Sequence, residues 1–171
     1  MRFVAEALSD DHELSGFDSG RPTLDQWLVE HARTQEVRRT ARTFVWHDGD
    51  RAVLAHYTLT AHLLRREALP RALGRGGPRE IPSVLLARLA LDRSLHGQGL
   101  GSALLAEALA RVESATQTVA ARFVVADAID EPAVAFYEHH GFRRLPEALR
   151  LVQGLRDIAA ALGRSPSSPA R

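Results

Sequence analysis

The chain has 171 residues, 45% of them apolar, a formal net charge of +1 and no cysteine. That length suits one domain with a sizeable core, and the near-neutral balance predicts neither a nucleic-acid binder driven by overall charge nor a disordered tail protein. The missing cysteines exclude disulfides, thiolate metal sites and a cysteine nucleophile. Lysine and asparagine are also absent and isoleucine occurs only at positions 81, 129 and 158, the mark of GC-rich coding; every basic side chain other than histidine is therefore arginine.

Taken in chain order, residues 3–8 read as a first strand and 17–22 as a turn. Thr23 with Gln26 reads as a capping box, after which Leu24, Trp27, Leu28 and Ala32 recur at helical spacing, predicting a helix over about 24–37. Residues 43–47 and 52–60 flank Asp48-Gly49-Asp50 as a hairpin. The Arg-, Pro- and Gly-rich run 62–80 reads as a long loop with room for one helical turn. An apolar strand follows at 84–91, then a helix at about 99–114 with Leu100, Leu104, Ala108 and Val112 on one stripe, and a strand at 122–128. Asp130 can cap the next helix, Pro132 sits in its first turn, and Gly141 stands where a C-terminal cap needs positive φ. A strand near 149–152 and a short helix at about 157–162 complete a single domain, 1–163; the Ser- and Pro-rich run 164–171 is expected to be a disordered tail. The order gives an α/β protein, a mixed sheet covered by helices on both faces. Met1 to Glu6 lacks a continuous apolar run and no stretch approaches bilayer-crossing length, so no membrane partner and a cytoplasmic location are expected.

The junction from Leu91 to Gly101 carries the chemistry. Its glycines fall where strand becomes helix, where the backbone can approach an anion and the first unpaired N–H groups of the helix point at the charge. A diphosphate is the expected guest, although a plain strand-to-helix turn or another anion site shares this signature. With no lysine there is no P-loop, and Gly97-x-Gly99-x-Gly101 has the wrong last spacing for a dinucleotide fingerprint.

His96-Gly97-Gln98-Gly99-Leu100-Gly101 resembles the acetyl-CoA loop of the GNAT N-acetyltransferases, Gln/Arg-x-x-Gly-x-Gly/Ala, with His96 replacing the usual Gln or Arg. About thirty residues on, Ala133 to Phe142 reads A-x-x-F-Y-x-x-x-G-F and resembles the GNAT helix whose tyrosine reaches the cofactor sulfur. The resemblance implies the GNAT fold, with a bulge splaying two central parallel strands and pantetheine pairing with the backbone of Leu89, Ala90 and Leu91. It implies acetyl-CoA held by these residues and by His96 through Ser102, with Asp130 and Phe136 nearby, and Tyr137 as general acid. Phe17-Asp18-Ser19-Gly20, Leu24 to Leu28, Thr43-Phe44-Val45, Tyr57-Thr58-Leu59 and Ile81 to Asp92 are similar to the bacterial GNAT toxins of type II toxin–antitoxin systems, which often carry Cys where this chain has Ser19. That similarity implies aminoacyl-tRNA as substrate and a ribbon-helix-helix antitoxin as partner, and it leaves a homodimer open.

The reaction needs little from the chain. An α-amine has a pKa of about 8, lowered further by a neighbouring ester, so a useful fraction is free base without a strong general base. The departing thiolate, with a thiol pKa of about 8.5, benefits from a proton donor, and backbone N–H groups near Leu89 or Ala90 would hold the developing oxyanion. For RNA, Arg33, Arg38, Arg39, Arg42 and Arg88 are the candidate contacts. The 62–80 loop adds Arg65, Arg66, Arg71, Arg75 and Arg79, and the apolar neighbours of Arg88 suggest that it points to the opposite face of its sheet. His139-His140 suits a helix C-terminal cation, and no metal is expected. A small-molecule or protein N-acetyltransferase is the alternative. A silent CoA-binding module is a third reading, against which Tyr137 and Gly99-Leu100-Gly101 argue.

Overall fold

The computed structural model describes residues 2–163, so the expectation for 164–171 lies outside the described residues. β1 (Val4–Ala7) is followed by α1 (Pro22–Glu30), α2 (Ala32–Arg38), β2 (Arg42–His47) and β3 (Val53–Arg65). Next come a 3-10 turn (Arg66–Ala68), α3 (Arg71–Gly74), β4 (Glu80–Leu91), a second 3-10 turn (Arg93–Leu95) and α4 (Leu100–Ala115). β5 (Phe123–Asp127), α5 (Glu131–His139), β6 (Arg143–Arg144), β7 (Arg150–Gly154) and α6 (Leu155–Ala161) complete the chain. The seven described strands form one mixed sheet in the order β1-β2-β3-β4-β5-β7-β6. Its outer pairs, β1 with β2, β2 with β3, β5 with β7 and β6 with β7, are antiparallel. β4 and β5 are joined through α4, the kind of connection that parallel neighbours require.

The chain divides into two compact units, the first drawn from residues up to Thr60 and from Leu86–Ala106, the second from Ala61–Leu85 and from Glu107 onward. In the first, Trp27, Leu28 and Ala32, with Leu24 beside them, pack on Phe17, Val45, Val53 and Ala90. Leu28 is fully buried, which stabilises by roughly 2 kcal/mol relative to exposure. In the second, Leu64, Leu69, Ile81, Phe123, Val125, Leu145 and Val152 form the core.

Four expectations change. The predicted helix 24–37 breaks at His31, whose φ of −123° with ψ of −27° ends α1 and opens α2. Thr23 and Gln26 form no capping box: Arg21 is the N-cap residue without a side-chain bond, Pro22 occupies the first helical turn, and Gln26 donates instead to Glu30. The 62–80 run is not all loop, since β3 continues to Arg65 and β4 starts at Glu80. Only Leu64 and Ile81 are buried apolar residues in those extensions, too sparse a signal beside exposed arginines. The two-residue strand β6 is too short to leave any periodicity.

Candidate active site

The first unit carries the glycine junction. β4 ends at Leu91, and Asp92 caps the 3-10 turn by accepting from the Ser94 N–H at 3.0 Å. Its other carboxylate oxygen accepts from the Asp18 N–H at 3.0 Å, and Arg93 N–H donates to the Asp18 carbonyl at 2.8 Å, so the 17–20 turn is laced to the junction. Burial opposes the charge on Asp92, but the N–H donors of Asp18 and Ser94 hold its carboxyl below the ordinary value. Gly97 and Gly99 adopt φ of +76° and +74°, a conformation L side chains rarely accept, and nothing lies within 4 Å of where a Cβ would project from either. The backbone there is bare and faces open space just before α4 begins at Leu100, as a diphosphate cradle requires. Gln98 Nε2 donates to the Ser94 carbonyl at 3.1 Å and His96 Nε2 to the Leu91 carbonyl at 2.9 Å. The His96 ring thus clamps the turn to the end of β4. Leu89, Ala90 and Leu91 are contiguous with this turn; Ala90 is buried and packs in the first unit's core.

The second unit carries Tyr137. Asp130 accepts from the Ala133 N–H at 2.9 Å as the N-cap of α5, Pro132 sits in the first turn, and Gly141 has φ +93° just past the C-cap His140. Asp130 is thus engaged in holding the helix. Tyr137 is 6% exposed, its ring tilted against Phe136 at 5.4 Å and Phe142 at 5.2 Å, and its hydroxyl meets no hydrogen-bond partner among the described residues. Burial, and then the Asp127 carboxylate, push its pKa well above the ordinary phenol value, so it is a proton-bearing donor at any working pH. Asp127 is itself held in a fork by Arg150, at 2.7 and 2.9 Å, and Arg150 also reaches His62 at 3.3 Å. Sequence reading missed this Asp127–Arg150 pair, whose partners lie 23 positions apart across β5 and β7. Burial and then the His139 charge lower the pKa of His140, which opposes the cation expected at the helix end.

The predicted RNA contacts fall in different environments. Arg33 donates to the carbonyls of Ser9, Asp10 and His12, and Arg42 pairs with Glu36 at 2.7 Å. Arg88 lies 3.8 Å over the Trp27 ring, whereas Arg38 and Arg39 are exposed at the end of α2. Ser19 is tied to Asp25, whose carboxylate accepts from the Ser19 N–H and from its hydroxyl at 2.6 Å.

Glu6, His12 and His47 hold ligand-type atoms within 4.8 Å of one another, and sequence reading missed this cluster too. The Ser9 N–H donates to His12 Nδ1 at 3.0 Å and the Gly49 N–H to His47 Nδ1 at 3.1 Å, so each ring proton sits on Nε2. Those protons go to Glu6 Oε1 at 2.9 and 2.8 Å, beside Arg51 at 2.5 Å. The Nε2 lone pairs that a metal would need are therefore absent, and the group is a hydrogen-bonded hub. Donation from His47 and then His12 lowers the Glu6 pKa.

Residues 39–144 match the model of the acetyltransferase (GNAT) domain family. The chain is 34% identical to the tRNA-acetylating toxin of Mycobacterium tuberculosis over 158 residues, 91% of this chain and 94% of that protein. It is similar to AtaT complexed with acetyl-methionyl-tRNAfMet, with a TM-score of 0.87, 33% identity and coverage of 94% and 99% of the two chains. It is also similar to a tyrosine-to-phenylalanine mutant of the toxin AtaT bound to the C-terminus of the antitoxin AtaR and acetyl-CoA, with a TM-score of 0.82, 32% identity and coverage of 95% and 99%. With a glycine cradle between β4 and α4, a buried tyrosine on α5 and a family match over most of its length, this chain belongs to the GNAT acetyltransferases.

Proposed function

We propose that the protein transfers an acetyl group from acetyl-CoA to the α-amine of the amino acid on charged tRNA, and so acts as a toxin that blocks translation. The observation that carries this reading is the similarity to the tRNA-acetylating toxin across 91% of the chain. A ribbon-helix-helix antitoxin is its restraining partner and the cytoplasm its site of action. Among the described residues no helix is long and apolar enough to cross a membrane. We take residues 1–163 as one catalytic domain.

Gly97 through Ser102 would cradle the diphosphate with backbone N–H groups, and the backbone of Leu89, Ala90 and Leu91 would pair with pantetheine and hold the thioester carbonyl. Bound there, acetyl-CoA supplies an activated thioester. Tyr137 would be the proton donor for the departing sulfur and would recover a proton from the nitrogen that forms the amide, so protons would balance over the cycle. Phe136 packs against the Tyr137 ring and restricts its rotation. Burial, and then the Asp127 carboxylate, keep the phenol protonated. Arg38 and Arg39 are predicted RNA contacts that lie exposed at the end of α2; Arg42 is exposed as well but pairs with Glu36, Arg33 would serve chiefly to hold its own loop, and Arg88 to sit on Trp27.

Incubation of the purified protein with radiolabelled acetyl-CoA and total charged tRNA tests the reading. Label should enter aminoacyl-tRNA and not deacylated tRNA. Label found only on free amines or protein would turn the reading to a small-molecule or protein acetyltransferase.

A further inference from the structure

Within the second unit, Asp127 ends β5 and Arg150 opens β7, and the two stand opposite each other in the antiparallel register. The guanidinium closes a planar fork on the carboxylate, Nε to Oδ1 at 2.7 Å and Nη2 to Oδ2 at 2.9 Å, so both oxygens are taken and the plane of the carboxylate is fixed. The remaining arm, Nη1, lies 3.3 Å from Nε2 of His62 on β3. Arginine only donates, so Nε2 accepts and the imidazole proton sits on Nδ1. Burial, and then the Arg150 charge, lower the His62 pKa, so the ring serves that arm as a neutral acceptor. One guanidinium thus joins side chains from three strands.

The fork stands beside the buried phenol. Tyr137 lies about two turns into α5, and aromatic side chains on a helix lean toward its N-terminus, here the end that follows Asp127 in the chain. The Asp127 charge bears on that phenol, yet the Tyr137 hydroxyl has no hydrogen-bond partner among the described residues. An ionised carboxylate would be its strongest available acceptor, since O–H···O⁻ bonds are roughly twice as strong as neutral ones. Asp127 is 47% exposed, so without Arg150 its side chain would have room to turn. A phenol proton engaged by that carboxylate would have to be pulled away before it could pass to sulfur.

We propose that Arg150 is a positioning residue for Tyr137: by occupying both oxygens of Asp127 it holds the carboxylate off the phenol hydroxyl and leaves that proton free for the departing sulfur. The inference rests on the reading of Tyr137 as general acid and adds the group that keeps the acid unengaged.

The test is a mutant cycle on the full chain: Arg150→Gln, Tyr137→Phe, the two combined, and Arg150→Gln combined with Asp127→Asn. Each is assayed for kcat and for the KM of acetyl-CoA with total charged tRNA, or with an amino-acid amide if label enters only free amines, and each is melted. Arg150→Gln should lower kcat on the order of tenfold, with KM within about twofold of wild type. In the Tyr137→Phe background the same change should cost less than about twofold, because no hydroxyl remains to be captured. Adding Asp127→Asn to Arg150→Gln should restore most of the lost turnover, because an amide is a weaker acceptor than a carboxylate. If Arg150→Gln melts below the assay temperature, Arg150→Lys keeps the charge without the planar fork, and its loss should likewise vanish in Tyr137→Phe. Wild-type kcat in Arg150→Gln, an undiminished loss in the Tyr137→Phe background, or no rescue by Asp127→Asn would each overturn the proposal and leave the fork a structural tie. Wild-type turnover in Tyr137→Phe would instead remove the general-acid reading, and the positioning role with it; a large loss there beside an inert Arg150→Gln removes the positioning role alone.

Discussion

Tyr137 and His56 show what burial does to two kinds of proton carrier. Tyr137 keeps its proton because burial and a carboxylate oppose phenolate, while its hydroxyl remains unengaged by the described residues. Tyr137→Phe should therefore preserve melting temperature and acetyl-CoA binding yet lower turnover on the order of a hundredfold, the scale of a general acid. Steady-state acetylation with charged tRNA measures this, and near-wild-type turnover would remove Tyr137 from the mechanism. His56 is the opposite case. It is fully buried against the edge of Phe17, neither ring nitrogen has a partner, and burial followed by the Arg88 charge lowers its pKa to about 3. The folded value lies below the ordinary 6.5, so the unfolded chain binds the proton first and stability falls as pH drops from 6.5 toward 3. His56→Phe should be neutral or stabilising at pH 7, because an unpaired buried polar group costs about 1–3 kcal/mol, and should flatten the acid limb. Denaturant melts at about pH 7 and 5 compare the two proteins; wild type should lose roughly 2 kcal/mol more than the variant. An identical acid loss would assign the pH dependence to other groups.

Among the elements, those with strong periodicity or terminal signals were legible and those made by distant partners were not. Leu24, Trp27, Leu28 and Ala32 announce α1 and the start of α2 because they face one core, but nothing at His31 marks the break. Asp130, Pro132 and Gly141 set α5 through local chemistry and could be read directly. The Asp25–Ser19 tie, the Asp92–Asp18 lacing and the Asp127–Arg150 fork depend on tertiary approach and leave no spacing rule. The glycine junction was the most legible part of the candidate site, since positive φ before a helix admits few residues but glycine. Gly99→Glu keeps open space at Cβ yet adds a strained φ, and its negative charge would face a diphosphate bound as proposed. Saturating acetyl-CoA at about 100 times its Kd should stabilise wild type by about 2.7 kcal/mol and raise its melting temperature by several degrees, with no rise in Gly99→Glu. A full thermal shift in that variant would reduce the junction to a turn.

At the scale of the whole molecule, a net charge of +1 produces almost no long-range field, so attraction to RNA must come from where the arginines stand. Some of the 22 are engaged with carbonyls or acids, as Arg33, Arg42, Arg66, Arg122 and Arg150 are, and so are less available to phosphate. Composition alone could not separate these from Arg38 and Arg39, because a lysine-free surface uses one residue type for both tasks. The distinction predicts a contrast at equal charge. Combining Arg143→Gln and Arg156→Gln, both in the second unit, lowers net charge as much as neutralising Arg38 and Arg39 at the end of α2. If local contacts govern binding, the second-unit pair should leave the salt slope for charged tRNA within about half a unit of wild type, while the α2 pair flattens it by about 1 to 2 units. Equal flattening by both pairs would mean that the molecule attracts RNA through its overall charge, and that the end of α2 contributes no more than any other two arginines.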